Sequence, residues 1–280
     1  MDPDIKSKFA TIEGTKVHYL SAGEGEPILL IHGFPTSSYL WRNIIAKVAK
    51  SYHVIAIDMP GYGKSDKNPE DSYSFRYHER ILTGLLAQLN LDQITLGVHD
   101  LGGPIGLYWM VQNIKRVNRL ILFNTIVYSN FSWAVKLFGL STVIPGVRDW
   151  LTSPSGIKKA IRFGIHSKQK ITAEMIESYQ APFENKTSRK ALLKTVQRLS
   201  MKGFREIEEK LPAFEGPVQV IYGEKDRILP EVGDTMKKVK QDLPQTTVTS
   251  LSNAAHFLQE DAPNEVSDTI LHFMKSSQTV

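Results

Sequence analysis

Gly97-Val98-His99-Asp100-Leu101-Gly102-Gly103 is the stretch on which the reading of this 280-residue chain turns. It follows the β-rich run Gln93–Val98 and opens the amphipathic stretch Leu101–Gln112, so it predicts a strand, a sharp turn and a helix in immediate succession. Gly102 and Gly103 permit close backbone packing beneath such a turn. The residue at its tip is Asp100, and a carboxylate there restricts the chemistry. Its attack on a carbonyl would give an unstable anhydride. Its attack on a saturated carbon bearing a leaving group gives an alkyl ester that water can cleave.

Two further segments complete a candidate site. His256, in Asn253-Ala254-Ala255-His256-Phe257, comes just after the last predicted strand and is the expected base that activates water. Asp226, in Gly223-Glu224-Lys225-Asp226-Arg227, follows another strand and is expected to orient His256. The order Asp100, Asp226, His256 is the nucleophile–acid–histidine order of chains whose nucleophile sits on a strand-to-helix elbow. His32-Gly33-Phe34-Pro35 follows the strand Pro27–Ile31. The backbone N–H groups of Phe34 and Leu101 are therefore the expected oxyanion donors. Taken singly, each piece has a plainer meaning: an Asp after a strand caps a helix, and a late His packs or faces solvent. Their order, each at a strand's carboxyl end, argues for a site. His99 and His32 are expected to pack behind it and His166 to lie on the surface. The histidine spacing suggests no metal site.

Outward from the elbow, short β-rich runs alternate with helical patterns, the mark of an α/β chain with a mainly parallel sheet and crossover helices. Phe9–Ile12 and Lys16–Leu20 read as an opening hairpin. Pro27–Ile31, His53–Ile57, Arg119–Phe123, Val218–Tyr222 and Thr246–Leu251 read as further strands, several of them apolar throughout, as strands covered on both faces are. Tyr39–Lys50, Phe75–Leu89 and Asn264–Lys275 read as helices. From Ile126 to Leu211 the alternation stops and helical patterns run between Pro145, Pro154 and Pro182. The expected organisation is a core of residues 1–125 and 212–280 with a helical cap, 126–211, inserted between its parts.

Composition excludes several alternatives. There is no cysteine, hence no disulfide, thiol nucleophile or thiolate metal site. A formal net charge of +5 without long like-charged runs gives no support to nucleic-acid binding. The most apolar segment, Trp133 to Val147, is interrupted by Lys136, Gly139 and Pro145, so no membrane insertion is expected. The opening MDPDIKSK has no apolar signal-like region, and the cytoplasm is the expected location.

These residues resemble the α/β-hydrolase superfamily, in particular its aspartate-nucleophile branch of haloalkane dehalogenases and epoxide hydrolases. The resemblance covers nearly the whole chain. It rests on the elbow, on His32 through Asn43, on Asp58 through Asp66 and on His256-Phe257-Leu258-Gln259-Glu260-Asp261. It implies an eight-stranded, mostly parallel sheet flanked by helices with an inserted cap, no cofactor, and a small apolar substrate and water as partners. The implied reaction is displacement at carbon by Asp100 and hydrolysis of the ester by His256-activated water. Dehalogenation is one form, epoxide hydrolysis another, and a non-catalytic binder of small ligands on the same scaffold a third. Four positions depart from the pattern. Leu101 and Phe34 stand where dehalogenases of this type commonly place Trp and Asn to hold the halide. Lys194-Thr195 stands where epoxide hydrolases carry Trp-Tyr. Tyr128, Trp133, Trp150 and Tyr179 are the candidates to replace these donors over the substrate.

Overall fold

The computed structural model describes residues 3–276. Eight strands form one sheet: β1 (Lys6–Ile12), β2 (Thr15–Ala22), β3 (Pro27–Ile31), β4 (His53–Ile57), β5 (Ile94–Asp100), β6 (Val117–Thr125), β7 (Val218–Gly223) and β8 (Thr246–Leu251). The order across the sheet is β1-β2-β4-β3-β5-β6-β7-β8. The β1–β2 and β2–β4 pairs are antiparallel and every other pair is parallel. β3 and β4 are buried along nearly their whole length and β5 throughout. Their near-continuous apolar sequence follows, because helices cover both faces.

The helices are α1 (Arg42–Val48), α2 (Phe75–Gln88), α3 (Gly102–Gln112), α4 (Trp133–Ser141), α5 (Val147–Leu151), α6 (Pro154–Gly164), α7 (Ala173–Gln180), α8 (Lys186–Gln197), α9 (Met201–Lys210), α10 (Val232–Asp242), α11 (Leu258–Asp261) and α12 (Pro263–Ser276). α4 through α9 all lie between β6 and β7, and that stretch holds no strand. Side-chain caps account for its helical character. Ser132, Ser153, Thr172, Asn185 and Ser200 each accept a backbone N–H in the first turn of the helix that follows, satisfying a donor that the helix itself leaves open. α3 has no polar face because almost all of it is buried between the sheet and its neighbours.

β5 runs to Asp100 and β6 to Thr125, two residues beyond the apolar runs that announce them. These polar ends carry the site. The β5–β6 register shifts between His99 and Asp100, so that His99 pairs with Phe123 but Asp100 with Thr125. Asn124 is the residue passed over, at φ +23°. A bulge of this kind re-aims a side chain, and here it turns Asn124 toward β7.

Asp100 itself has φ +49°, a backbone region that non-glycine residues rarely adopt. Two contacts hold it there: the Thr125 hydroxyl donates to the Asp100 carbonyl at 2.7 Å, and α3 starts hard against the end of β3. A Cβ on Gly102 would stand 2.4 Å from the carbonyl oxygen of His32 and 2.7 Å from that of Ile31, and neither is free to swing away. Gly102→Ala should therefore destabilise the fold by about 1–3 kcal/mol. Calorimetry should find the melting temperature lowered by several degrees; an unchanged value would contradict this close approach.

Candidate active site

Parallel pairing brings the carboxyl ends of β3, β5, β6 and β7 to one edge of the sheet, and the site is assembled there. Asp100 leaves the end of β5 and its Oδ2 accepts the backbone N–H of Phe34 at 2.8 Å. The backbone N–H of Leu101 also favours the charged form of this carboxylate. Gly33 allows the two loops to meet, since a Cβ on it would lie 2.4 Å from Asp100 Cβ and 2.5 Å from Oδ2. The other carboxylate oxygen, Oδ1, faces His256 Nε2 at 3.7 Å. That ring nitrogen is buried and has no hydrogen-bond partner among the described residues. The separation exceeds a good hydrogen bond, so the ring nitrogen and Oδ1 face each other without being bonded.

His256 Nδ1 lies 2.9 Å from Asp226 Oδ2. Asp226 is satisfied on every side. Its Oδ1 accepts the N–H groups of Ile228 and Leu229 at 2.8 Å each, and its Oδ2 also accepts Asn124 Nδ2 at 2.6 Å. Asn124 Oδ1 in turn accepts the N–H of Gly223 at 2.9 Å, so the amide ties β6 to β7 and orients the acid. His99 Nε2 donates to the carbonyl oxygen of His256 at 2.9 Å. His32 bridges the Gly33 carbonyl and the Met59 N–H. Both rings thus pack and position, as expected, and burial holds both below the usual histidine value. Asp261 fixes the histidine loop from the far side: Oδ2 accepts the N–H groups of Ala255 and His166 and Oδ1 that of Ser167.

Charge in this buried group is unevenly shared. Burial pushes the Asp100 carboxyl above its usual value of 3.8; the His256 ring and the N–H groups of Leu101 and Phe34 oppose that shift without cancelling it. Burial also acts against ionised Asp226, but the His256 ring, Asn124 and the Leu229 N–H outweigh it and bring the carboxyl below 3.8. Burial disfavours the His256 imidazolium, yet Asp226 and Asp100 overcome it and raise the ring above 6.5.

The Asp100 carboxylate opens into a cavity of about 370 Å³. Its wall is mainly apolar, with Phe34, Leu101, Leu137, Phe138, Leu151 and Phe163 among the lining side chains. α4, α5 and α6 supply much of it. Of the four aromatic residues expected to face substrate, Trp133 lines this cavity and three do not. The Tyr128 hydroxyl donates to Asp242 at 2.7 Å, and the residue lines a separate cleft beside Thr235 and Lys238. The Tyr179 hydroxyl is turned to Glu260 at 2.7 Å, and Glu260 also holds Arg42 in a two-point pair at 2.7 and 2.8 Å. Trp150 is about half exposed, with the Lys159 ammonium 5.9 Å from its ring. For the two tyrosines a carboxylate fixes the hydroxyl, and no sequence pattern signals a partner that distant in the chain.

Asn124, Thr125, Gly33 and Asp261 are the positioning residues that sequence reasoning leaves out. The role of Asn124 depends on the bulge that turns it.

The Asp226–His256 pair couples stability to pH. The folded pKa of His256 is raised, so its share of stability is complete below about pH 6.5 and is lost as pH rises through the raised value. The folded pKa of Asp226 is lowered, so its share is complete above about pH 3.8 and is lost as pH falls through the lowered value. Asp226→Asn should cost about 1–3 kcal/mol, with the largest gap from the unaltered chain between those two pH values. Urea unfolding across pH tests this; a gap that widens above neutrality would contradict it.

Comparison with known proteins fits this geometry. A family model for the alpha/beta hydrolase fold matches residues 26–263. A cis-3-alkyl-4-alkyloxetan-2-one decarboxylase of Shewanella oneidensis is 30% identical, the match covering 99% of this chain and 90% of the relative. Haloalkane dehalogenase 2 of Mycobacterium tuberculosis is 27% identical over 96% of each chain. Among solved structures, the haloalkane dehalogenase DbeA of Bradyrhizobium elkani superposes with a TM-score of 0.87 at 23% identity, covering 98% of this chain and 99% of that one. The eight-stranded, mostly parallel sheet flanked by helices is thus a shared architecture, and the chain belongs to the α/β-hydrolase fold family, as a hydrolase whose curated relatives include haloalkane dehalogenases.

Proposed function

We propose that this hydrolase acts on small apolar substrates through a covalent ester on Asp100, in the manner of a haloalkane dehalogenase. The observation that carries this reading is a carboxylate, rather than a hydroxyl, on the elbow, with Oδ2 held by the Phe34 N–H and Oδ1 free toward His256 and the apolar cavity. In the first step Asp100 Oδ1 forms a bond to a saturated carbon and the leaving group departs with the bonding electrons as an anion. In the second, His256 Nε2 takes a proton from water and the hydroxide adds to the ester carbonyl. The resulting oxyanion is the former Oδ2, already bonded to the Phe34 N–H and within reach of that of Leu101. Such donors are worth about 3–4 kcal/mol each in acyl chemistry. Collapse frees the alcohol and restores Asp100, while Asp226 stabilises the imidazolium in between.

The lining of the cavity favours a halide over an epoxide oxygen as the leaving group. A departing alkoxide needs a proton, and no tyrosine is among the described residues that line the cavity. The hydroxyls of Tyr128 and Tyr179 are committed to Asp242 and Glu260. A halide leaves unprotonated and needs only a polar edge, for which the Trp133 indole N–H is the candidate. A strained oxetan-2-one ring, the substrate class named for one relative, also offers a saturated carbon with an anionic leaving group.

His256→Gln should leave the first step intact and stop the second. Incubated with bromoalkanes, epoxides and an oxetan-2-one, the variant should gain the mass of an alkyl group on the peptide containing Asp100, and Asp100→Ala should gain none. Bromoalkanes should give the adduct fastest. If no panel member labels Asp100 and ligands only raise the melting temperature of the unaltered chain without turnover, the non-catalytic binding reading replaces this one.

A further inference from the structure

Eleven large apolar side chains are exposed among the described residues, and eight of them fall within residues 133–163. Soluble proteins scatter such side chains singly, and a contiguous apolar face usually meets a partner. These are concentrated on one device. α4 packs on α5 and α5 on α6, and together they present Trp133, Leu137, Leu140, Val143, Ile144 and Trp150 to the outside, from 42% to 64% exposed. A second observation says what would cover them. Between residues 133 and 170 there are seven Lys and Arg against one acid, Asp149, an excess of six positive charges in a chain whose whole net charge is +5. Lys158, Lys159 and Arg162 of α6 join Lys168 and Arg227 around a shallow cleft that contains no acidic residue. Partial burial and the neighbouring Arg227 and Arg162 charges hold the Lys168 ammonium below its usual value.

We infer that the α4–α6 face docks on an anionic lipid surface, its apolar side chains entering the headgroup boundary and its basic rim meeting the lipid charges. This does not depend on the chemistry at Asp100. The pairing of an apolar face with a cationic border is what interfacial binding requires, and Trp133 and Trp150 are of the side-chain type that settles at that depth. The docking is peripheral, since no helix among the described residues is long and apolar enough to cross a membrane. A second copy of the chain is a poorer occupant. A two-fold contact sets the same patch against itself and would bring the two cationic borders together. The face is also continuous with the cavity. Trp133, Leu137 and Phe163 belong to both, and Phe163 and Arg227 lie between the cavity and the basic cleft. A bilayer is where small apolar compounds concentrate.

Sedimentation with vesicles tests the inference on the full-length protein. The protein should pellet with vesicles of mixed phosphatidylcholine and phosphatidylglycerol at least about tenfold more strongly than with phosphatidylcholine alone, and added salt should reduce the difference. Leu140→Glu with Val143→Glu, and separately Lys158→Glu with Lys159→Glu, should each weaken that binding about tenfold or more. All four side chains are exposed and none lines the Asp100 cavity, so the fold should survive, with circular dichroism as the control. Three results would overturn the inference. They are no binding to anionic vesicles, binding undiminished by the variants, and a solution dimer, seen by analytical ultracentrifugation, that the Leu140 and Val143 changes break apart.

Discussion

The contact between the ends of β3 and β5 governs the site. Parallel neighbours deliver their chains to the same edge, and here the loop after β3 comes so near the tip of β5 that Gly33 has no space for a Cβ beside Asp100. The Phe34 N–H then meets Oδ2 at 2.8 Å. One short approach thus orients the carboxylate, gives it a backbone N–H donor and holds an unfavourable backbone angle in place. The surroundings make the approach affordable. α3 is buried almost throughout and starts on a glycine pressed against the β3 carbonyls, so relaxing the elbow would require moving a core helix, and close-packed interiors resist such shifts.

Around that contact, polar groups are buried only where they are paired. Asp226 accepts two backbone N–H groups, an amide and the imidazole, which is how a carboxylate with little access to solvent stays ionised. Asp100 has fewer partners, and burial keeps its pKa raised. The contrast suits the two roles proposed above. A carboxylate that orients a base is best held charged and still, while one that must attack gains from being incompletely solvated.

The sequence is most legible where local chemistry decides the outcome. Pro27–Ile31, His53–Ile57 and Thr246–Leu251 are strands over just those residues, because runs rich in β-branched residues, apolar in the first two and threonine-rich in the third, end there in turn residues. The elbow is legible because a strand run, an Asp and two glycines stand directly before a helical run, in chain order with Asp226 and His256. The strand ends are less so: β5 and β6 continue through His99, Asp100, Asn124 and Thr125, polar residues that read as loop until their partners are known. Asn124 depends on a bulge, a property of two strands together. The tyrosines between β6 and β7 are the least legible. Tyr128 and Tyr179 are fixed by Asp242 and Glu260, 114 and 81 residues away in the chain, and nothing local to a tyrosine reveals whether its hydroxyl already has a distant partner.

The grip of Asp261 divides the helical stretch unequally. By holding the N–H groups of Ala255, His166 and Ser167 at once, and with the Phe257 N–H bonded to the Gly164 carbonyl, it welds the far end of α6 to the imidazole's own loop. Among the described residues α4 and α5 have no such hydrogen-bonded tether to that loop, and α4 meets the site through the edge-to-face contact of Phe138 with Phe34. Substitutions in those two helices can therefore redraw the ceiling of the cavity while the His256 loop stays in place, whereas any drift in the 164–167 corner is transmitted directly to that loop. New specificities in this scaffold have one permissive wall and one that is mechanically locked.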